Sequence, residues 1–194
     1  APYKRADLIF SKMDLIGPYL EQGKIQIIFS GKAHPLDDKG KDLVAKIIKM
    51  TKKYPNSVVF LEDYSIETAQ MLTRGVDVWL NNPRRPKEAS GTSGMKAAMN
   101  GVLNFSILDG WWPEACQHGM NGWQFGDGYV GENQDNHDRD SLYRVLLNEV
   151  VPTYYENKDQ WEEMMNNSIE STYEDFSALK MIENYYLKMY RKIK

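Results

Sequence analysis

Four short apolar runs recur along this chain, at residues 24–30 (KIQIIFS), 57–61 (SVVFL), 76–80 (VDVWL) and 102–108 (VLNFSIL). Each is rich in β-branched and aromatic residues and has the length of a buried strand. The segments between them have helical periodicity. In 36–54, Leu43, Ile47 and Met50 share one face and lysines cover the other, and Pro55 ends the run. Ser65 opens a helix to about Thr73, and residues 88–99 form a further, glycine-rich helix start. Strands that alternate with helices require crossover connections, so the expected fold is α/β, a parallel sheet with helices on both faces. A short helix over 4–16, closed by Gly17 and Pro18, precedes the first strand. Residues 109–136 read as a long irregular region. Helices over 138–156, kinked at Pro152, and 160–192, broken near 173–175, read as an appendage to the sheet.

Composition narrows the function classes. The 194 residues suit one domain, and no repeat or internal boundary divides them. Five Trp, twelve Tyr and six Phe exclude a disordered chain. No apolar run approaches the roughly 18 residues of a membrane span. The single cysteine, Cys116, excludes an internal disulfide framework and a Cys-rich zinc site, and suits a reducing, cytoplasmic setting. No His, Asp and Glu spacing resembles a metal site. A net charge of −3 argues against a nucleic-acid partner. The chain opens on Ala1 with no leader pattern, so an excised or processed piece is expected.

Ligands of parallel α/β sheets bind outside the carboxyl ends of the strands. The loops there are 31–35, 62–65, 81–92 and 109–112, and the third runs into residues 88–96 (EASGTSGMK). Small residues ahead of a helix let a ligand reach the backbone, and the first-turn N–H groups and helix dipole favour an anion. The same pattern also reads as a capped helix start with glycines for close packing. Lys96, one turn on, is either a solvated lysine or an amine aimed back at that site. Burial and the positive helix end would then keep it neutral enough to condense with an aldehyde.

Five stretches together resemble the glycogen/α-glucan phosphorylases. Residues 88–101 (EASGTSGMKAAMNG) resemble their pyridoxal-phosphate segment. Tyr3, Lys4 and Arg5 resemble the end of their basic phosphate-binding motif. Residues 31–33 (GKA) and 108–110 (LDG) match family turns, and 61–64 (LEDY) resembles LENY, with Asp63 replacing Asn. Order and spacing agree over about 3–126, and 81–96 and 108–115 look most like the shorter bacterial and archaeal enzymes.

The resemblance implies two Rossmann-like domains facing across a cleft, the GT-B arrangement. This chain would be the C-terminal domain, with the N-terminal domain absent. It implies reversible phosphorolysis of α-1,4-glucan to α-glucose 1-phosphate, with pyridoxal 5′-phosphate as cofactor. By position, Lys96 would hold the cofactor aldehyde, and Thr92, Ser93 and Gly94 its phosphate, with Tyr64 near its ring. Glu88, Ser90 and Gly91 would hold glucose hydroxyls, and Lys4 and Arg5 the substrate phosphate. His34 is a further substrate candidate. Ser65 stands where the animal enzymes have Arg, which removes one cofactor contact. With half the cleft missing, the chain alone would be inactive and would expose the cleft-facing surface, which allows self-association. Two alternatives remain at this stage: a nucleotide-sugar glucosyltransferase of the glycogen-synthase type, and a non-catalytic glucan- or phosphate-binding module.

Other residues carry plainer readings. Trp111 and Trp112 either stack on sugar or pack the base of their loop, and Glu114 is a candidate sugar contact. His118 and His137 read as surface residues, and Cys116 as a small buried one. Tyr185, Tyr186, Met189 and Tyr190 read as a helix stripe packed on the sheet domain or on the companion half.

Overall fold

A computed structural model describes residues 1–191; the expected helical end at Lys192 lies outside the described residues. Two 3-10 turns, Pro2–Lys4 and Leu8–Phe10, lead into α1 (Met13–Glu21), so the first helix starts later than expected and runs through Gly17 and Pro18. Pro18 removes one ladder bond and costs about 3 kcal/mol in a helix interior. Ile16 and Leu20 on the same helix are fully buried. Their burial, about 3–6 kcal/mol together, offsets that cost.

The chain then alternates as the apolar runs predict: β1 (Ile27–Ser30), α2 (Asp38–Lys53), β2 (Val58–Leu61), α3 (Ile66–Gly75), β3 (Val78–Asn81), α4 (Thr92–Ala98) and β4 (Leu103–Ile107). Side chains cap α2 and α3: Asp37 accepts from the Gly40 amide and Ser65 from the Thr68 amide. The region expected to be irregular holds a short helix, α5 (Trp112–Ala115), and a fifth strand, β5 (Gly122–Phe125). Every strand pair is parallel, in two ladders, β1–β2 and β3–β4–β5, rather than one continuous sheet. All five residues of β4 are buried, so both faces of the central strand are covered. Ile28 and Val59, paired across β1 and β2, remain partly exposed.

Helix α6 (Gln134–Val145) passes through a π segment (Leu146–Val150) into α7 (Val151–Glu156), where Pro152 would clash with the carbonyl four residues back. Widening of the helix at that point accommodates the ring. Helix α8 (Lys158–Phe176) belongs to the body of the domain, against expectation. Its Trp161 and Met164 are buried in the core and Trp161 lies 5.8 Å from Trp123. The break falls at Ser177, followed by α9 (Ala178–Tyr185) and a second π segment (Tyr186–Tyr190), whose Tyr185, Tyr186, Met189 and Tyr190 stay exposed rather than packing on the sheet. One core joins both ladders, built on Ile16, Val58, Leu103, Phe105, Phe125 and Leu142. No described helix is long and apolar enough to cross a membrane.

Candidate functional site

The loop between β3 and α4 is anchored by three contacts, one from the N-terminal turn and two from the segment after β4. From the N-terminal turn, the Lys4 ammonium forms an ion pair with the Glu88 carboxylate, whose side chain is 9% exposed. From the β4 end, Asp109 accepts a 2.9 Å hydrogen bond from the Glu88 amide. The Trp111 amide donates to the Ser90 carbonyl at 2.8 Å. Gly110 makes that approach possible. Its φ is +60°, and a Cβ there would lie 2.5 Å from the Ser90 oxygen.

Helix α4 begins without a side-chain cap, on Gly91 in the left-handed region at φ 86°. The amides of Ser90, Gly91, Thr92 and Ser93 donate to no protein group among the described residues. The Gly94 amide is already used, donating to the Gly91 carbonyl at 3.1 Å. The side-chain cap of the plainer reading is absent, while its close packing of glycines is present. The start of α4 is open to an acceptor, and its glycines also pack closely, Gly94 against the Trp111 indole and the Asn104 amide. Lys96 lies four residues beyond Thr92, on the same face of the helix. Both are exposed, and the Lys96 ammonium has no hydrogen bond or ion pair among the described residues. The burial expected for Lys96 is therefore not provided by this chain.

The other candidates separate into two groups. Tyr64 is 45% exposed in the loop after β2, beside Asp63, which takes a left-handed φ of 53°. Asn and Asp are the residues that tolerate that conformation, so Asp63 keeps the turn. His34, exposed after β1, turns back on its own loop, where Nδ1 accepts from the Leu36 amide at 3.1 Å. No hydrogen bond joins Tyr64 or His34 to the Glu88 cluster. Arg5 is only 5% exposed. Its guanidinium donates to the Asn82 and Pro83 carbonyls and pairs with Asp135 and Asp138, which leaves little of it for a ligand. Trp111 and Trp112 are buried, Trp112 donating to the Trp123 carbonyl, so they form the base of the loop rather than a sugar platform. His118 faces Glu149 at 2.7 Å, and His137 stacks on Tyr129 with ring centroids 4.5 Å apart. Cys116 is half-buried rather than fully buried as expected, and that burial pushes its thiol up to about 12, which disfavours the nucleophilic thiolate.

A family model described as carbohydrate phosphorylase matches residues 16–118, the span that contains β1–β4 and this loop system. The chain belongs to the carbohydrate phosphorylase family. Among curated relatives, the phosphorylase domain is 45% identical to the maltodextrin phosphorylase of Thermococcus litoralis over 99% of the chain and 24% of that protein. It is 44% identical to the glycogen phosphorylase of Aquifex aeolicus, over 98% of the chain and 29% of that protein. The glycogen phosphorylase of Mycobacterium tuberculosis is 40% identical over 94% of the chain and 22% of its own length. The chain thus spans about a quarter of the length of these relatives. Among solved structures, Anabaena HepE in complex with UDP-glucose superposes with a TM-score of 0.66 at 15% identity, over 98% of this chain and 46% of that one, a likeness of fold.

Three residues of the phosphorylase domain matter to the site without any local sequence signal for their roles. Asp109 orients Glu88, while Asn82 and Asp138 hold Arg5, each through a contact that spans at least 21 positions of sequence. The LDG turn pointed to Asp109 as a family residue, but not to its partner. Burial raises the Asp138 carboxyl above its ordinary range and the Arg5 guanidinium opposes that rise. Asp135 is held low, first by Arg84.

Proposed function

We propose that this domain is the C-terminal, cofactor-binding half of an α-glucan phosphorylase, which uses phosphate to release α-glucose 1-phosphate from α-1,4-glucan in the cytoplasm. The observation that carries the reading is the free Lys96 ammonium one turn above four unused amides, next to the Lys4–Glu88 pair. That donor set fits pyridoxal 5′-phosphate: an unpaired amine suits its aldehyde, and the Thr92 hydroxyl with the Thr92 and Ser93 amides suits its phosphate. When bound, the cofactor supplies a phosphate group that acts as acid and as electrostatic support for the reaction. Lys4 offers a cation to the substrate phosphate. Glu88 accepts from glucose hydroxyls, oriented by Asp109 below it, and the Ser90 and Gly91 amides donate to them. The partner that completes the cleft is the remainder of a phosphorylase polypeptide, so the chain alone is expected to show no turnover.

Incubation with pyridoxal phosphate, borohydride reduction and peptide mapping tests the assignment. The label should concentrate on Lys96 and disappear in Lys96→Ala. Equal labelling of the exposed lysines would defeat it. Tight UDP-glucose binding with no cofactor label would point to a nucleotide-sugar donor instead.

A further inference from the structure

We infer that Arg5 is a positioning residue: it reaches no ligand itself but clamps the N-terminal turn so that Lys4 stands against Glu88. The inference rests on the reading of Lys4 as the phosphate-facing cation and reassigns its neighbour, which the basic motif had grouped with it.

The geometry of the clamp is explicit. Arg5 Nε donates to the Asn82 carbonyl at 3.0 Å and Nη2 to the Pro83 carbonyl at 2.8 Å. Nη1 donates to Asp135 Oδ1 at 2.9 Å and lies 2.8 Å from Asp138 Oδ2. The loop answers in kind. Asn82 Nδ2 donates to the Arg5 carbonyl at 2.7 Å, and the Arg84 amide donates to the Tyr3 carbonyl at 2.7 Å. Three elements are thus tied together: the N-terminal turn, the β3–α4 loop and α6. Arg5 also holds a left-handed backbone, φ 46° and ψ 48°, which a non-glycine residue keeps only where its surroundings enforce it. Lys4, one residue away, has a side chain 37% exposed and a single anionic partner, Glu88. Apart from the clamp, the turn is tied to the loop by the Arg84–Tyr3 backbone bond and by the Lys4–Glu88 pair itself, so the Arg5 guanidinium supplies most of the side-chain contacts that hold it there. Lysine cannot replace arginine here, because one ammonium cannot serve two carbonyls and two carboxylates held in a planar fork.

The test reads Lys4 directly. Acylation by succinimidyl acetate is followed at each lysine by mass spectrometry, at a temperature where the variants are fully folded. Arg5→Lys should raise the Lys4 rate about fivefold, the scale on which losing one anchor shifts a two-state population. Lys96 and Lys12 should keep their rates. Glu88→Gln should reproduce the Lys4 rise without disturbing the clamp. If Arg5→Lys does not fold, Asn82→Ala removes one side-chain donor and should give the same selective rise. Inorganic phosphate should slow Lys4 acylation in the unaltered chain and lose that effect in Arg5→Lys. A rise at Lys4 with no phosphate protection in either chain supports the clamp and removes the phosphate role. An unchanged Lys4 rate in folded variants, or an equal rise at every lysine, overturns the inference.

Discussion

Gly94→Ala sets two effects of opposite sign against each other. Alanine is the better helix former by about 1 kcal/mol, so propensity alone makes the change stabilising. The packing opposes it. A Cβ on Gly94 would lie 2.7 Å from Asn104 Oδ1 and 2.9 Å from Trp111 Nε1, closer than such contacts are made. Neither neighbour has room to retreat. Asn104 is 1% exposed and donates to the Gly94 carbonyl at 3.0 Å. Trp111 is 4% exposed and wedged between Trp112 and Phe176, with ring centroids 5.2 and 5.1 Å away. Forcing a methyl into such a site costs about 1–3 kcal/mol. Loss of the Asn104 hydrogen bond adds about 1 kcal/mol. The net is a destabilisation of about 2 kcal/mol, which for a domain of this size lowers Tm by about 4–8 °C. Gly75→Ala is the control. It sits in the last turn of α3 with nothing within 4 Å of a built Cβ, so Tm should hold or rise slightly. Thermal unfolding by circular dichroism measures both. A neutral or stabilising Gly94→Ala would show that α4 can move off Trp111, and the close-packing account of this glycine would fall. The Gly94→Ala variant should also label more weakly at Lys96, because the first-turn amides and Lys96 share this seven-residue helix.

Two further outcomes follow from the titratable groups. Cys116, half-buried and with its thiol pushed up to about 12, should react with iodoacetamide at pH 8 more slowly than a free thiol and faster on unfolding; alkylation of the folded chain at the free-thiol rate would contradict the raised pKa. Asp140 is held down to about 2, first by Arg139 and then by Lys12, so the folded state binds this proton more weakly than the unfolded state does. Its contribution is present above the ordinary carboxylate range and is lost as pH falls toward about 2. Because Asp140 is exposed, the effect is small, and urea titrations of Asp140→Asn between pH 5 and 2 should show a flatter acid limb than the unaltered chain.

Much of the fold is local enough to read along the chain. The β-branched runs became β1 to β4, and Ser65 caps α3 as its hydroxyl and spacing imply. β5 carries little sequence signal, because Gly122 opens it and Gln124 separates its two apolar residues, Trp123 and Phe125. It exists because Phe105 and Ile107 of β4 offer a free edge and the Trp123 and Phe125 side chains reach the core. Pro18 misled in the opposite sense: its local penalty is real, but tertiary burial of its neighbours outweighs it. The candidate site shows the same division. Residues 88–96 announce themselves through small side chains and a following lysine. Glu88's dependence on Asp109, and Arg5's on Asn82 and Asp138, carry no spacing signal at all.

The sequence by itself determined that this is a parallel α/β domain with a glycine-rich loop and a lysine at the carboxyl end of its strands. Those properties follow from periodicity and residue type, which act over a few positions. It also carried enough matched motifs to name a family. Only the tertiary structure decided which of two adjacent basic residues is free to meet a ligand. Lys4 keeps an exposed flank and one partner, while Arg5 is buried and engaged by two carbonyls and two carboxylates. Burial and partner count are set by segments 77 to 133 residues away in the chain, and no local pattern encodes which side of a left-handed turn a cation will take.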